Sequence, residues 1–120
     1  MIQFEVGWPP KELNPNSRKH WSAKSRAARR YRKECFAYAH NALTRSDVSR
    51  HGGLVLALVF CPPDRRKRDD DNLVAAFKSG RDGIADALGI DDSQFVTQFE
   101  IGPAAVGGSV RVTISSKGAE

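Results

Sequence analysis

The sequence predicts an α/β fold, a single domain with a mixed sheet, and three observations predict it. Leu54–Cys61 is almost continuously apolar and rich in Leu and Val, which suits a strand at the centre of a sheet. Ala27, Tyr31, Cys35, Tyr38 and Ala42 recur at helical spacing. Short segments of strand character lie near both ends of the chain, so sheet and helix alternate along it. A chain of 120 residues buries one core and has no room for a second domain, so residues 1–120 are expected to form one unit.

Taken in order, Ile2-Gln-Phe-Glu-Val6 alternates apolar and polar residues, the period of a half-buried strand. Trp8-Pro-Pro10 ends it, because consecutive prolines offer no N–H to a ladder. Residues 10–21 read as an irregular loop rich in Pro, Asn and basic side chains. Ser22 is the expected N-cap of a helix reaching about Leu43, with the five spaced residues inward and Arg26, Arg29, Arg30 and Lys33 largely outside. A polar connection over 46–53 leads to the Leu54–Cys61 strand, which Pro62-Pro63 stop. Asp69–Asn72 then open a second helix carrying Leu73, Phe77, Ile84 and Leu88 on one face. Gly80 and Gly83 cost that helix about 1 kcal/mol each relative to Ala, so a bend is expected near them. Gly89 supplies the C-terminal stop. Phe95–Ile101 and Ser109–Ser115 read as strands of a hairpin around Pro103 and Gly107-Gly108, and 116–120 as a frayed tail. The expected order is β-α-β-α-β-β.

Composition narrows the function classes. Hydrophobic residues at 40% and charged residues at 28% exclude global disorder. A net charge of +5 points to a polyanionic partner, and its placement sharpens that. Cations crowd into 18–33 and 65–68, and aspartates follow the second cluster directly. Cys35 and Cys61 are too few for a disulfide framework and read as buried thiols; His20, His40 and His51 lack zinc-ligand spacing. No apolar signal region or membrane-length run occurs, so the expected location is the cytoplasm.

The central feature is Arg65-Arg-Lys-Arg68 followed by Asp69-Asp-Asp71-Asn72, between a buried strand and a helix. If this segment stays extended, Asp69 and Asp71 point to one side. Two carboxylates so placed repel unless a cation joins them, and Mg²⁺ needs few protein carboxylates when phosphate oxygens and water complete its shell. Such an ion activates water and stabilises charge on a phosphoryl group. A further acidic pair, Asp91-Asp92, follows the second helix, at the wrong end unless the chain bends or subunits pair there. The plainer alternative is that both acidic runs favour a helix start or a turn, and that the cations solvate a surface. An EF-hand is excluded, since the glycine and glutamate positions of that loop are unmatched.

The stretch Pro63-Asp-Arg-Arg-Lys-Arg-Asp-Asp-Asp-Asn-Leu73, with Asp91-Asp92 some way beyond, resembles the RusA family of Holliday junction resolvases. Trp8-Pro-Pro10, the Asn- and Arg-rich loop after it, and the helix containing Tyr31-Arg32 are also similar to that family. The resemblance implies a homodimer that binds four-way DNA junctions and makes paired nicks with Mg²⁺, for which Mn²⁺ substitutes. It implies Asp69, Asp71 and Asp92 as metal-binding catalytic carboxylates. Where the family often has a lysine soon after Asn-Leu, this chain has Val74-Ala75, and Lys78 is the nearest substitute. The expected DNA contacts are Arg18, Lys19, Arg26, Arg29, Arg30, Lys33, Arg65, Arg66, Lys67 and Arg68. Other functions compatible with the same residues are a non-catalytic DNA- or RNA-binding module and a nuclease for other branched DNA.

Overall fold

The apolar run Leu54–Cys61 forms β2, the strand on which the sheet is assembled. The computed structural model describes residues 1–117, in an order that begins β1 (Ile2–Gly7), α1 (Trp21–Leu43), β2. It continues α2 (Asp70–Ala76), α3 (Lys78–Leu88), β3 (Phe95–Ile101) and β4 (Ser109–Ser116), and single 3₁₀ turns cover Lys11–Leu13 and Asp92–Gln94. The four strands lie in the order β1-β4-β2-β3. β4 is antiparallel to both of its neighbours, and β3 is parallel to β2, so the sheet is mixed. The expected β-α-β-α-β-β order is modified only where the second helix divides into α2 and α3.

One sheet face carries the core. Leu54, Leu56, Leu58 and Phe60 of β2, Val110, Val112 and Ile114 of β4, and Ile2 and Val6 of β1 are all buried. Against them lie Tyr31, Cys35, Ala39 and Ala42 of α1 and Ile84, Ala85 and Leu88 of α3. Ala39 takes the inward position expected of Tyr38, which is 49% exposed; both lie about one turn on from Cys35, and the smaller side chain faces the core. Tyr31 donates its hydroxyl to the Gly7 carbonyl at 2.6 Å, pinning α1 to the end of β1. Burial raises the pKa of that phenol and pushes the neighbouring Cys35 thiol up to about 12.

Three local expectations are corrected. The N-cap of α1 is His20, whose Nδ1 accepts from the Ser22 N–H at 3.2 Å, so Ser22 is already inside the first turn. The helical break falls at Phe77, not at the glycines. Gly80 and Gly83 sit where α3 meets α1: a Cβ at Gly83 would stand 2.2 Å from the Arg32 carbonyl oxygen, and one at Gly80 2.8 Å from the Tyr31 ring. Their absent side chains therefore serve close helix packing. Finally, β3 and β4 form no hairpin. The helical crossover after β2 returns β3 parallel to it on one edge, the usual outcome of a strand–helix–strand unit. The following loop, tied by Gly102 N–H to the Phe60 carbonyl and Ala105 N–H to the Pro62 carbonyl, carries the chain past the end of β2. β4 enters on the other side of β2, where its own apolar face is covered. Ser116, expected in a frayed tail, instead closes β4, and Lys117 N–H bonds the Gly53 carbonyl; residues 118–120 lie outside those described.

Candidate metal and nucleic-acid site

After β2 the chain turns at Pro62-Pro63 and runs through the basic segment to α2. The segment is shaped by Asp64. Its carboxylate accepts from the Arg66 backbone N–H at 2.9 Å and from Arg68 Nη1 at 2.8 Å, and Arg68 also donates to the carbonyls of Asp64 and Arg66. Arg68 is thus an internal brace, its side chain only 16% exposed, and its guanidinium lies 5.6 Å over the Trp8 ring. The Arg68 hydrogen bond holds the Asp64 carboxyl below its ordinary range. Arg65, Arg66 and Lys67 are exposed, and Arg66 also lies 3.6 Å from the Asp64 carboxylate.

Asp69 is the N-cap of α2: in extended backbone, it accepts the Asp71 N–H on Oδ1 at 2.9 Å. Asp70 and Asp71 occupy the first turn. The premise of an extended Asp69–Asp71 segment therefore gives way to a cap, which brings Asp69 over the turn carrying Asp71. All three are exposed, and among the described residues none of them forms an ion pair.

Asp92 lies elsewhere. It opens the 3₁₀ turn before β3, a turn capped by Asp91, which accepts the Ser93 N–H at 2.9 Å. Its carboxylate meets Lys78 Nζ at 3.1 Å and Arg81 Nη1 at 3.3 Å, and Arg81 also donates to the Asp92 carbonyl at 3.0 Å. Lys78 bonds Asp82 at 2.7 Å as well. The hydrogen bond to Lys78 is the main cause of a lowered Asp92 pKa, and that to Asp82 the main cause of a raised Lys78 pKa. Lys78 and Asp92 are thus brought together, whereas Asp69, Asp71 and Asp92 do not form a three-carboxylate group. Among the described residues no three of His, Cys, Asp and Glu converge into a metal-holding group. Arg81 and Asp82 were not singled out in the sequence; the Lys78–Asp82 spacing of four residues is the signal that points to the second of them.

The remaining cations are on the surface. Arg18 and Lys19 are exposed just before α1, and Arg26, Arg29, Arg30 and Lys33 are exposed along it. Beside Asp69 opens a cleft of about 390 Å³ between the Trp8–Asn14 loop and the 66–69 segment, with Asn72 and Leu73 of α2 at its base. In sequence the Trp8–Asn14 wall reads as a strand terminator followed by a loop, and as part of the family resemblance, not as the side of a cleft. No helix among the described residues is long and apolar enough to cross a membrane.

No family model matches the chain. It is similar to an uncharacterized protein of Xylella fastidiosa, 46% identical over 98 residues that make up 81% of this chain. The chain spans 64% of that protein's length, so the resemblance reaches over most of this domain and under two thirds of the relative.

Proposed function

We propose that this chain is a RusA-type, magnesium-dependent endodeoxyribonuclease that acts as a homodimer on branched DNA, above all four-way junctions, and makes paired nicks in recombination and repair. The observation that carries the reading is the start of α2: Asp69 and Asp71, exposed and free of cation partners among the described residues, directly after a basic segment at the carboxyl end of the central strand. That end of an open α/β sheet is where ligands ordinarily bind.

The donor set fits Mg²⁺, which is held by one or two carboxylates together with water and substrate phosphate oxygens. Bound there, a divalent ion supplies Lewis acidity toward phosphate and water. Asp69 and Asp71 hold it; Mn²⁺ offers the same preference for oxygen ligands. Arg65, Arg66 and Lys67 draw the phosphodiester toward the carboxylates, and the cations from Arg18 to Lys33 extend the contact along the strand. Asp92 joins the site only if its ion pair with Lys78 opens on binding, which would also free the Lys78 ammonium to face the phosphate. A homodimer has a surface to form on: β3 is an edge strand with Val96, Phe99 and Ile101 exposed.

The test is incubation with a synthetic four-way junction and Mg²⁺, resolved on a denaturing gel beside a linear duplex. Symmetric nicks in the junction, abolished by EDTA, are expected. A second reading has its own support in the separation of Asp92 from Asp69 and Asp71: a binding module without catalysis, whose acidic residues only cap helices. It predicts salt-sensitive retention of DNA and no metal-dependent nick.

A further inference from the structure

The cleft beside Asp69 has two walls of opposite character. One is largely apolar, made of Trp8 and Pro10 over the buried Pro9, with the Arg68 guanidinium 5.6 Å over the Trp8 ring. Trp8 is held edge-on against Phe60, ring centroids 6.2 Å apart, and its far side is closed by Gly108, where a Cβ would come within 2.9 Å of the Trp8 Cβ. The other wall is the basic segment, with Lys67 exposed and Lys11 on the facing rim; among the described residues neither forms an ion pair. A preformed apolar wall with unneutralised ammonium groups at its mouth suits a ligand that is flat and apolar at one end and anionic at the other. A nucleotide has that chemistry: base and sugar against Pro10 and the Trp8 ring with its overlying Arg68 guanidinium, phosphate toward Lys11 and Lys67. At about 390 Å³ the cleft is near the small end of ligand sites, which span roughly 300–1,000 Å³, so it admits one nucleotide unit and excludes a duplex.

We infer that this cleft seats a single unpaired nucleotide of the DNA strand, next to the phosphodiester presented to Asp69 and Asp71. The inference rests on the proposed function for the identity of the polymer, and it adds a source of selectivity. A nucleotide inside a duplex must be unstacked and unpaired before it can enter, whereas one at a branch point is partly released already. The Trp8–Asn14 loop thus favours branched over linear DNA without reading sequence.

Trp8 packs into the fold, so its fluorescence is a better probe than its removal. In a Trp21→Phe background, where the replaced side chain is exposed on the first turn of α1, Trp8 is the one remaining tryptophan. A thymidine hexanucleotide in EDTA is expected to change Trp8 emission saturably. Lys11→Gln is expected to weaken that titration several-fold and to lower its salt slope by about 0.7, the value of one lost single-strand phosphate contact. The inference is overturned if Trp8 emission stays constant while the protein retains the junction on a native gel, or if Lys11→Gln leaves the salt slope unchanged. Nicking separates the two ideas. A silent Trp8 with intact Mg²⁺-dependent nicking sinks the cleft and keeps the enzyme, while a responsive Trp8 without nicking supports the cleft and sinks the enzyme.

Discussion

The two acidic runs are built on the same local device and end in opposite electrostatic states. Asp69 caps α2 through the N–H two residues on, at 2.9 Å, and Asp91 caps the turn before β3 in the same way at the same distance. The difference lies in what the rest of the fold offers each run. Around Asp92, α3 presents Lys78 and Arg81, and the carboxylate is neutralised within the protein. Around Asp69 and Asp71 the nearby cations are engaged elsewhere or exposed: Arg68 is spent on Asp64 and Trp8, Arg66 lies 3.6 Å from Asp64, and Arg65 and Lys67 are exposed. Capping explains a first aspartate in each run. It does not explain why the second run is paired and the first left open, and an open pair beside exposed cations is what a metal and a phosphate would complete.

The largest effect should follow from neutralising the open pair. Asp71→Asn keeps the shape and removes the anionic ligand, and junction nicking in Mg²⁺ should fall on the order of 10²–10³-fold, typical of losing one group that stabilises transition-state charge. Retention on a native gel should survive, since the basic surface is untouched. Asp92→Asn should be milder, about tenfold, the scale of groups that orient a site from behind. Equal losses in the two variants would erase the distinction between the runs and place Asp92 among the direct ligands.

Removing the caps tests the other half of the comparison. Asp69→Ala and Asp91→Ala each lose one side-chain to backbone hydrogen bond, and each should cost about 1 kcal/mol in urea unfolding. Their nicking should diverge, with Asp69→Ala inactive and Asp91→Ala near the parent. If Asp91→Ala lost activity beyond its stability cost, Asp91 would have a role that the cap does not describe.

Much of this comparison was legible in the sequence, and the missing parts have physical reasons. β2, the length of α1 and the end of α3 at Gly89 follow from local pattern, because an apolar run, a helical period and a left-handed stop are each decided within a few residues. The position of β4 between β1 and β2 is a long-range choice, and two adjacent strands of alternating residues read locally as a hairpin. Gly80 and Gly83 look like helix weaknesses in sequence because their purpose, contact with α1, lies on another element. The sequence singled out the three carboxylates and grouped them through a family resemblance, whereas the structure sets Asp69 and Asp71 on one turn and pairs Asp92 with cations. Proximity along a chain says that Asp69 and Asp71 share a turn. It says nothing of Asp92, whose partners Lys78 and Arg81 come from the helix it folds back upon.

The smallest effect is a titration, and it measures the paired run directly. Its hydrogen bond with Lys78 lowers the Asp92 pKa from the ordinary value of 3.8, and the bond to Asp82 raises that of Lys78 above 10.5. For Asp92, the stabilisation from its ion pair is fully present above 3.8 and is lost as pH falls through the lower folded value. For Lys78 it is fully present below 10.5 and is lost as pH rises through the higher folded value. The pair is therefore closed throughout the neutral range, and only acid or strong alkali opens it. Carboxyl NMR in metal-free buffer should find the Asp92 midpoint under 3.8, moving upward in Lys78→Met as the main cause of the shift is removed. A midpoint at or above 3.8, or one indifferent to Lys78→Met, would mean that the lysine does not hold the carboxylate in solution. Arg81 would then be the one cation partner left to Asp92, and the contrast between the two runs would be too small to identify where the metal binds.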